Sequence, residues 1–232
     1  MNPFGRAVDL LVSGDAYLWS VVLRSLGISG SALVLAVAVG LPLGAAVALS
    51  PLRKRPTMVA LVNTGLALPP VVVGLVVYLL LSRSGPLGGL ELLYSPGAVV
   101  AAQAVIAGPY VAAITLGAVA GVPPDVRLQA RALGASRLRA LWLHLRECRA
   151  SLVAAVAAAF GSIISEVGAV LIVGGNVLGE TRVITSAIVL ETRRGNFGMA
   201  VALGAVLLAV AFGVNLALTL LNRGTLRRPW LA

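Results

Sequence analysis

Five apolar runs dominate this chain, and each is long enough to cross a lipid bilayer. About 20 helical residues, rising about 1.5 Å each, span a hydrocarbon core of about 30 Å. The runs lie near 28–50, 58–81, 96–119, 151–173 and 199–221. In lipid every backbone N–H and C=O must be satisfied inside the protein, so such runs become helices. Apolar residues make up 59% of the 232 and charged residues only 11%, which excludes an ordinary soluble domain. The expectation is an all-α integral membrane protein with five transmembrane helices, a single domain over 1–232.

The net charge of +10 would on its own suggest nucleic acid. The basic residues, however, fall in short clusters between apolar runs, which is a pattern of membrane topology; no nucleic-acid partner is expected. Of 18 Lys and Arg, 12 lie in the 51–56 turn, in 127–149 and in the tail beyond 221. Arg6, Arg24, Arg83, Arg182, Arg193 and Arg194 fall on the other side. The richer side is expected in the cytoplasm, with the N-terminus outside and the C-terminus inside. Residues 1–15 contain Asp9 and Asp15 and lack the apolar centre of a cleavable signal peptide. Cys148 and His144, each the single residue of its type, exclude an internal disulfide and a Cys/His metal cage.

Several runs carry residues that a plain span would not. The first is preceded by an apolar stretch at 18–26 and holds Gly40, Pro42 and Gly44, which allow close helix contact and a kink. The second contains Pro69-Pro70, which must break the helix. Broken backbone in a bilayer is tolerated where protein or a water-filled path satisfies it, so a kinked structural helix and a path lining both stand. The fourth carries Glu166. A carboxylate there must be paired, protonated or facing a cavity, and Ser162, one turn earlier, is a possible donor. A gate residue and a structural contact are both open readings. Asn176 closes that run after Gly174-Gly175, and 177–198 reads as a polar re-entrant stretch. Pro69, Pro70, Ser162, Glu166 and Asn176 are the candidate path or gate residues.

The longest polar stretch, 121–150, reads as a helical hairpin on the membrane surface. Pro123 and Pro124 stop the preceding helix, and Asp125 is expected to cap a helix over 126–133. Gly134 suits a left-handed C-cap, and Ser136 is placed to cap a second helix. That helix bears an apolar stripe at Leu138, Leu141, Trp142, Leu145 and Cys148, with arginines mainly off it.

These residues resemble the cytoplasmic coupling loop of the permease subunits of type I ABC importers. The family pattern is Glu-Ala-Ala, three residues, Gly, nine residues, then Ile-x-Leu-Pro. Here it reads Leu128-Gln129-Ala130, three residues, Gly134, nine residues, His144-Leu145-Arg146-Glu147. Ala130 and Gly134 match and Ala135-Ser136 is a common continuation, whereas the glutamate and the closing Leu-Pro differ. Leu68-Pro69-Pro70 to Gly74, Gly85-Pro86-Leu87-Gly88, Glu166 to Asn176, and Thr185 to Glu191 are similar to tungstate-type permeases, relatives of the molybdate permeases. The similarity covers about 18–222. It implies a permease translocating a small oxyanion, tungstate or molybdate, across the cytoplasmic membrane. It further implies a homodimer, cytoplasmic ABC ATPase subunits contacting Ala130, Gly134, Ala135, Ser136 and Leu138, and an external substrate-binding protein. ATP and Mg would be bound by the ATPase.

No phosphate-cradling Gly-Lys-Ser/Thr loop, hydrolase triad or acid/base carboxylate pair occurs in the sequence, so neither an enzymatic activity nor a cofactor in this chain is expected. An ABC permease for another small solute, such as an amino acid, is the alternative within the class. A secondary transporter would show inverted repeats or intramembrane ion ligands, and neither is evident.

Overall fold

The computed structural model describes residues 2–50 and 55–226, with only the backbone at Pro124, Arg127, Ala130, Arg131, Arg137, Leu138, Ala140, Leu141, His144 and 221–226. The basic turn at 51–54 and the tail beyond 226 lie outside the described residues. Helices α1 (Pro3–Val12), α2 (Ala16–Ala48), α3 (Arg55–Leu66), α4 (Pro70–Leu81), α5 (Pro96–Ala120) and α6 (Pro124–Ala132) form the first half. They are followed by α7 (Arg137–Glu147), α8 (Arg149–Ile164), α9 (Gly168–Gly174), α10 (Ile184–Arg193) and α11 (Phe197–Leu226). Among the described residues no strand occurs.

α2, α5 and α11 are long and apolar enough to cross a membrane unbroken. The remaining two expected spans are bent pairs: α3 and α4 meet at 95°, and α8 and α9 at 61°. The stretches at 18–26 and 28–50 are not separate. They join in one helix of 33 residues, because Gly27 is tolerated in a helix interior flanked by good packing on both sides.

α5 is the centre. It lies along α2, and the Gly40 backbone comes so near that an added Cβ would sit 2.8 Å from the Gly108 carbonyl oxygen. The main core joins Ala32 and Ala36 of α2, Val73 and Val77 of α4, Ala102 and Ile106 of α5, Ile163 of α8 and Val170 of α9. A second core gathers Leu18 and Val21 of α2, Ile184 of α10 and Leu203 of α11. A small third core, Ala45, Ala48, Val119 and Cys148, ties the ends of α2 and α5 to the start of α8.

Two elements differ from the sequence expectation. α1 is an N-terminal helix capped by Asn2, whose side-chain oxygen accepts the Phe4 N–H at 3.2 Å, and it packs on α11. The 177–198 stretch is not wholly irregular, since α10 runs through it. Its Thr185 and Glu191 are buried with hydrogen bonds to other elements, and Ser186 with a local exchange with Val183, which masks any simple apolar period.

Candidate functional site: the coupling hairpin and two broken helices

The hairpin forms from local chemistry. Pro124 opens α6, so Asp125 lies in the first turn instead of at the cap; the helix starts two residues earlier than the sequence expectation. Proline at the first helical position loses nothing, because that N–H has no intrahelical acceptor. Gly134 adopts φ +80°, with open space where a side chain would project. Ser136 Oγ then accepts the Arg139 N–H at 3.3 Å and starts α7. Ala135 is half-buried beside it; the side chains of Ala130 and Leu138 lie outside the described ones. Leu133 is 88% exposed and Trp142 58%, and the Arg146 guanidinium stands 5.4 Å from the Trp142 ring centre. The hairpin thus presents an apolar, cationic tip with nothing of its own chain to cover it. Its base is packed: Leu145 and Leu152 lie against the third core, which joins the ends of α2 and α5.

The first break follows from Pro69 and Pro70. Pro69 has φ −62° and ψ 124°, the extended conformation forced on a residue before proline, and Pro70 opens α4. The Val72 and Val73 N–H groups return to the Pro69 carbonyl at 2.9 and 3.2 Å. A cavity of about 260 Å³ lies in the bend, lined by Leu66, Pro69, Pro70, Val73, Ile106 and Tyr110.

Glu166 makes the second break. It lies between α8 and α9, not within a continuous helix as the apolar run suggests. The Ala169 N–H donates to Glu166 Oε1 at 3.0 Å, and Thr185 Oγ1 donates to the Glu166 carbonyl at 2.7 Å. Ser162 is not the donor to this carboxylate. α8 ends at Ile164, before Glu166, so the one-turn alignment that the spacing assumed is not continued. Gln103, buried in α5, donates from Nε2 to the Ile163 carbonyl at 3.0 Å and so satisfies the broken end of α8.

The two broken spans are mated. A Cβ on Gly168 would meet Val71 Cγ2 at 2.6 Å, and Gly74 faces Ala169 as closely. Pro69, Pro70 and Glu166 therefore belong to one region, where two half-helices start side by side. Asn176 does not join them. It sits beyond α9 with φ +55°, its Oδ1 accepting from Arg182 Nε at 3.3 Å and its carbonyl from Nη2 at 3.3 Å.

Arg182 is the group that sequence reasoning left unassigned. Its Nη1 donates to the Tyr17 hydroxyl at 3.4 Å, and that hydroxyl donates to Glu191 Oε1 at 3.2 Å. Asn196 Nδ2 donates to Glu191 Oε2 at 2.8 Å, and Arg194 pairs with Oε1 at 3.5 Å. Residues from α2, the loop after α9, α10 and the start of α11 are clasped by this network. The only advance signal was that Arg182 and Glu191 are charged residues flanked by apolar runs. Among the described residues no group of three His, Cys, Asp or Glu side chains could hold a metal ion.

A helical membrane domain with bent spans and an exposed hairpin on a rigid base defines a transport permease. Residues 40–227 match the family described as binding-protein-dependent transport system inner membrane component, and the chain belongs to that family. It is 45% identical over 204 residues to a probable anion ABC transporter permease protein of Haloferax volcanii, covering 86% of this chain and 88% of that one. It is 39% identical over 212 residues to the tungstate uptake system permease protein TupB of Peptoclostridium acidaminophilum, with 91% and 93% covered. Among solved structures, the inward-facing MetNI methionine ABC transporter aligns with TM-score 0.72 at 17% identity, over 90% of this chain and 95% of that one. That likeness establishes the type I importer permease fold alone.

Proposed function

We propose that this chain is the membrane subunit of an ATP-driven importer for a small oxyanion, tungstate or molybdate. The observation that carries the substrate class is the near full-length similarity to permeases named for tungstate and for anions. One domain over 1–232 dimerises with a second copy. Cytoplasmic ATPase subunits dock on the hairpin around Ala130, Gly134, Ala135, Ser136 and Leu138, and a binding protein outside delivers the anion. The N-terminus is outside and the C-terminus inside the inner membrane. The chain performs no chemistry itself; its partner ATPase binds ATP and Mg.

The geometry supports a mechanical account. Movement of the hairpin passes through Leu145, Cys148 and Leu152 into the ends of α2 and α5. Both bent spans are packed on α5. Pro69, Pro70, Ser162 and Glu166 border the path or its gate, whereas Asn176 acts outside it by holding Arg182. A doubly charged anion is repelled by a free carboxylate at low dielectric. The N–H bond from Ala169 to Glu166 turns one carboxylate oxygen onto protein.

The test is reconstitution of permease, ATPase and binding protein in liposomes. Tungstate uptake that requires both ATP and binding protein is expected. Uptake driven by an ion gradient without ATP would refute the importer, and ATP-driven uptake of an amino acid in its place would refute the substrate alone.

A further inference from the structure

Arg24 lies in α2, and its Nη1 is fully buried without a hydrogen-bond acceptor. It is level with the α8–α9 break. Neighbouring Ser25 Oγ accepts the Ile184 N–H at 2.7 Å, and the next residue, Thr185, holds the Glu166 carbonyl. One turn away on its inner side are buried Val21 and Ile28; on its outer side are exposed Ser20 and Gly27, with exposed Ser31 two turns on. Among the described residues no ion pair reaches the guanidinium. The Ser20 and Ser31 hydroxyls donate to the Tyr17 and Gly27 carbonyls. Glu166 Oε1 accepts from Ala169, and Glu191 is occupied by Tyr17, Arg194 and Asn196. Arg24 is half-buried with one guanidinium nitrogen unsatisfied, and a cation held so in a membrane helix is a candidate contact for an anion. The planar guanidinium fork matches two oxygens of a tetrahedral oxyanion.

We propose that Arg24 is an oxyanion-contacting residue beside the α8–α9 break, taking a tetrahedral oxyanion through its guanidinium. Two sources share this chemistry, a transported oxyanion and the phosphate of a lipid headgroup. The first rests on the importer reading above.

The experiment uses the full importer in liposomes with Gly27→Cys in a Cys148→Ser background. Position 27 has open space for a side chain and is one turn from Arg24. A negatively charged methanethiosulfonate is applied from outside, with and without millimolar tungstate. Tungstate is expected to slow modification roughly tenfold, the scale of one charge-assisted hydrogen bond. Arg24→Gln is expected to abolish the protection and Arg24→Lys to restore part of it. If the phosphate of a lipid is the partner, tungstate has no effect, and wild-type protein instead retains an anionic phospholipid, read by mass spectrometry, that Arg24→Gln loses. Neither protection nor a retained lipid overturns the proposal. Should Arg24→Gln not fold, equal modification rates in tungstate and in chloride, together with no anionic phospholipid on the wild-type complex, overturn it equally. Failure of wild-type tungstate uptake would sink the importer reading, while the lipid measurement still decides Arg24.

Discussion

A Cβ built on Gly74 would lie 2.6 Å from the Ala169 Cα, so α4 and α9 touch through bare backbone. This contact lets two half-helices run side by side from their breaks. Gly74→Val adds volume where the obstacle is backbone, which cannot swing aside. Overpacking of this kind costs about 1–3 kcal/mol. The variant is expected to melt at lower temperature in detergent and to lose uptake. Gly168→Ala, which meets side chains alone, Val71 Cγ2 at 2.6 Å and Glu166 Oε1 at 3.5 Å, should be milder; an equal or larger loss at Gly168 would contradict the packing account.

Gly134 offers a cleaner separation of backbone from packing. Its φ of +80° is unfavourable for a β-branched residue by about 1–2 kcal/mol, yet no atom crowds the position. Gly134→Val is expected to uncouple uptake from ATP hydrolysis with the spans still folded, and Gly134→Asn to retain most coupling, because Asn tolerates the left-handed region. Equal damage from both would mean that side-chain bulk against the ATPase, and not backbone conformation, is at fault.

Topology is open to chemical labelling. Ser84 and Leu133 are exposed at opposite ends of the spans. In a Cys148→Ser background, Ser84→Cys should react with an impermeant maleimide from outside, and Leu133→Cys only after permeabilisation. Reaction of both from outside would overturn the five-span arrangement.

Cys148 itself is expected to be a poor target. Burial pushes its thiol up from the ordinary range, and Sγ donates to the Leu145 carbonyl at 3.5 Å. A raised value means less thiolate at neutral pH, so alkylation should be slow there and accelerate only above the usual thiol range. Rapid alkylation at pH 7 would show that the base of the hairpin opens readily.

The Arg182 clasp should resist partial removal unevenly. Tyr17→Phe removes the hydroxyl that links Arg182 to Glu191, at a cost of about 1 kcal/mol per lost hydrogen bond. Arg182→Met frees Asn176, whose φ of +55° is then unsupported, and should cost more. Thermal melts of the two variants give the order, and a larger loss for Tyr17→Phe would contradict it.

The sequence by itself determined the helical membrane class, the break at the paired prolines and the hairpin turn, because each rests on local physics. Apolar length dictates a span, paired prolines forbid a continuous helix, and Gly134 before Ser136 suits a left-handed turn followed by a cap. Pairings between distant residues belonged to the tertiary structure. The Ser162 to Glu166 contact assumed an unbroken helix, and it fails because α8 ends at Ile164. Glu166 instead meets Ala169 across the break and Thr185 from α10. Asn176 and Arg182, six apart, meet because the loop after α9 reverses through left-handed Gly175 and Asn176. Tyr17 and Glu191, 174 apart in sequence, meet only because α2, α10 and α11 share a core. A helical period records which face of a helix is apolar, but not which partner covers it, so the clasp and the mated half-helices were decided by packing alone.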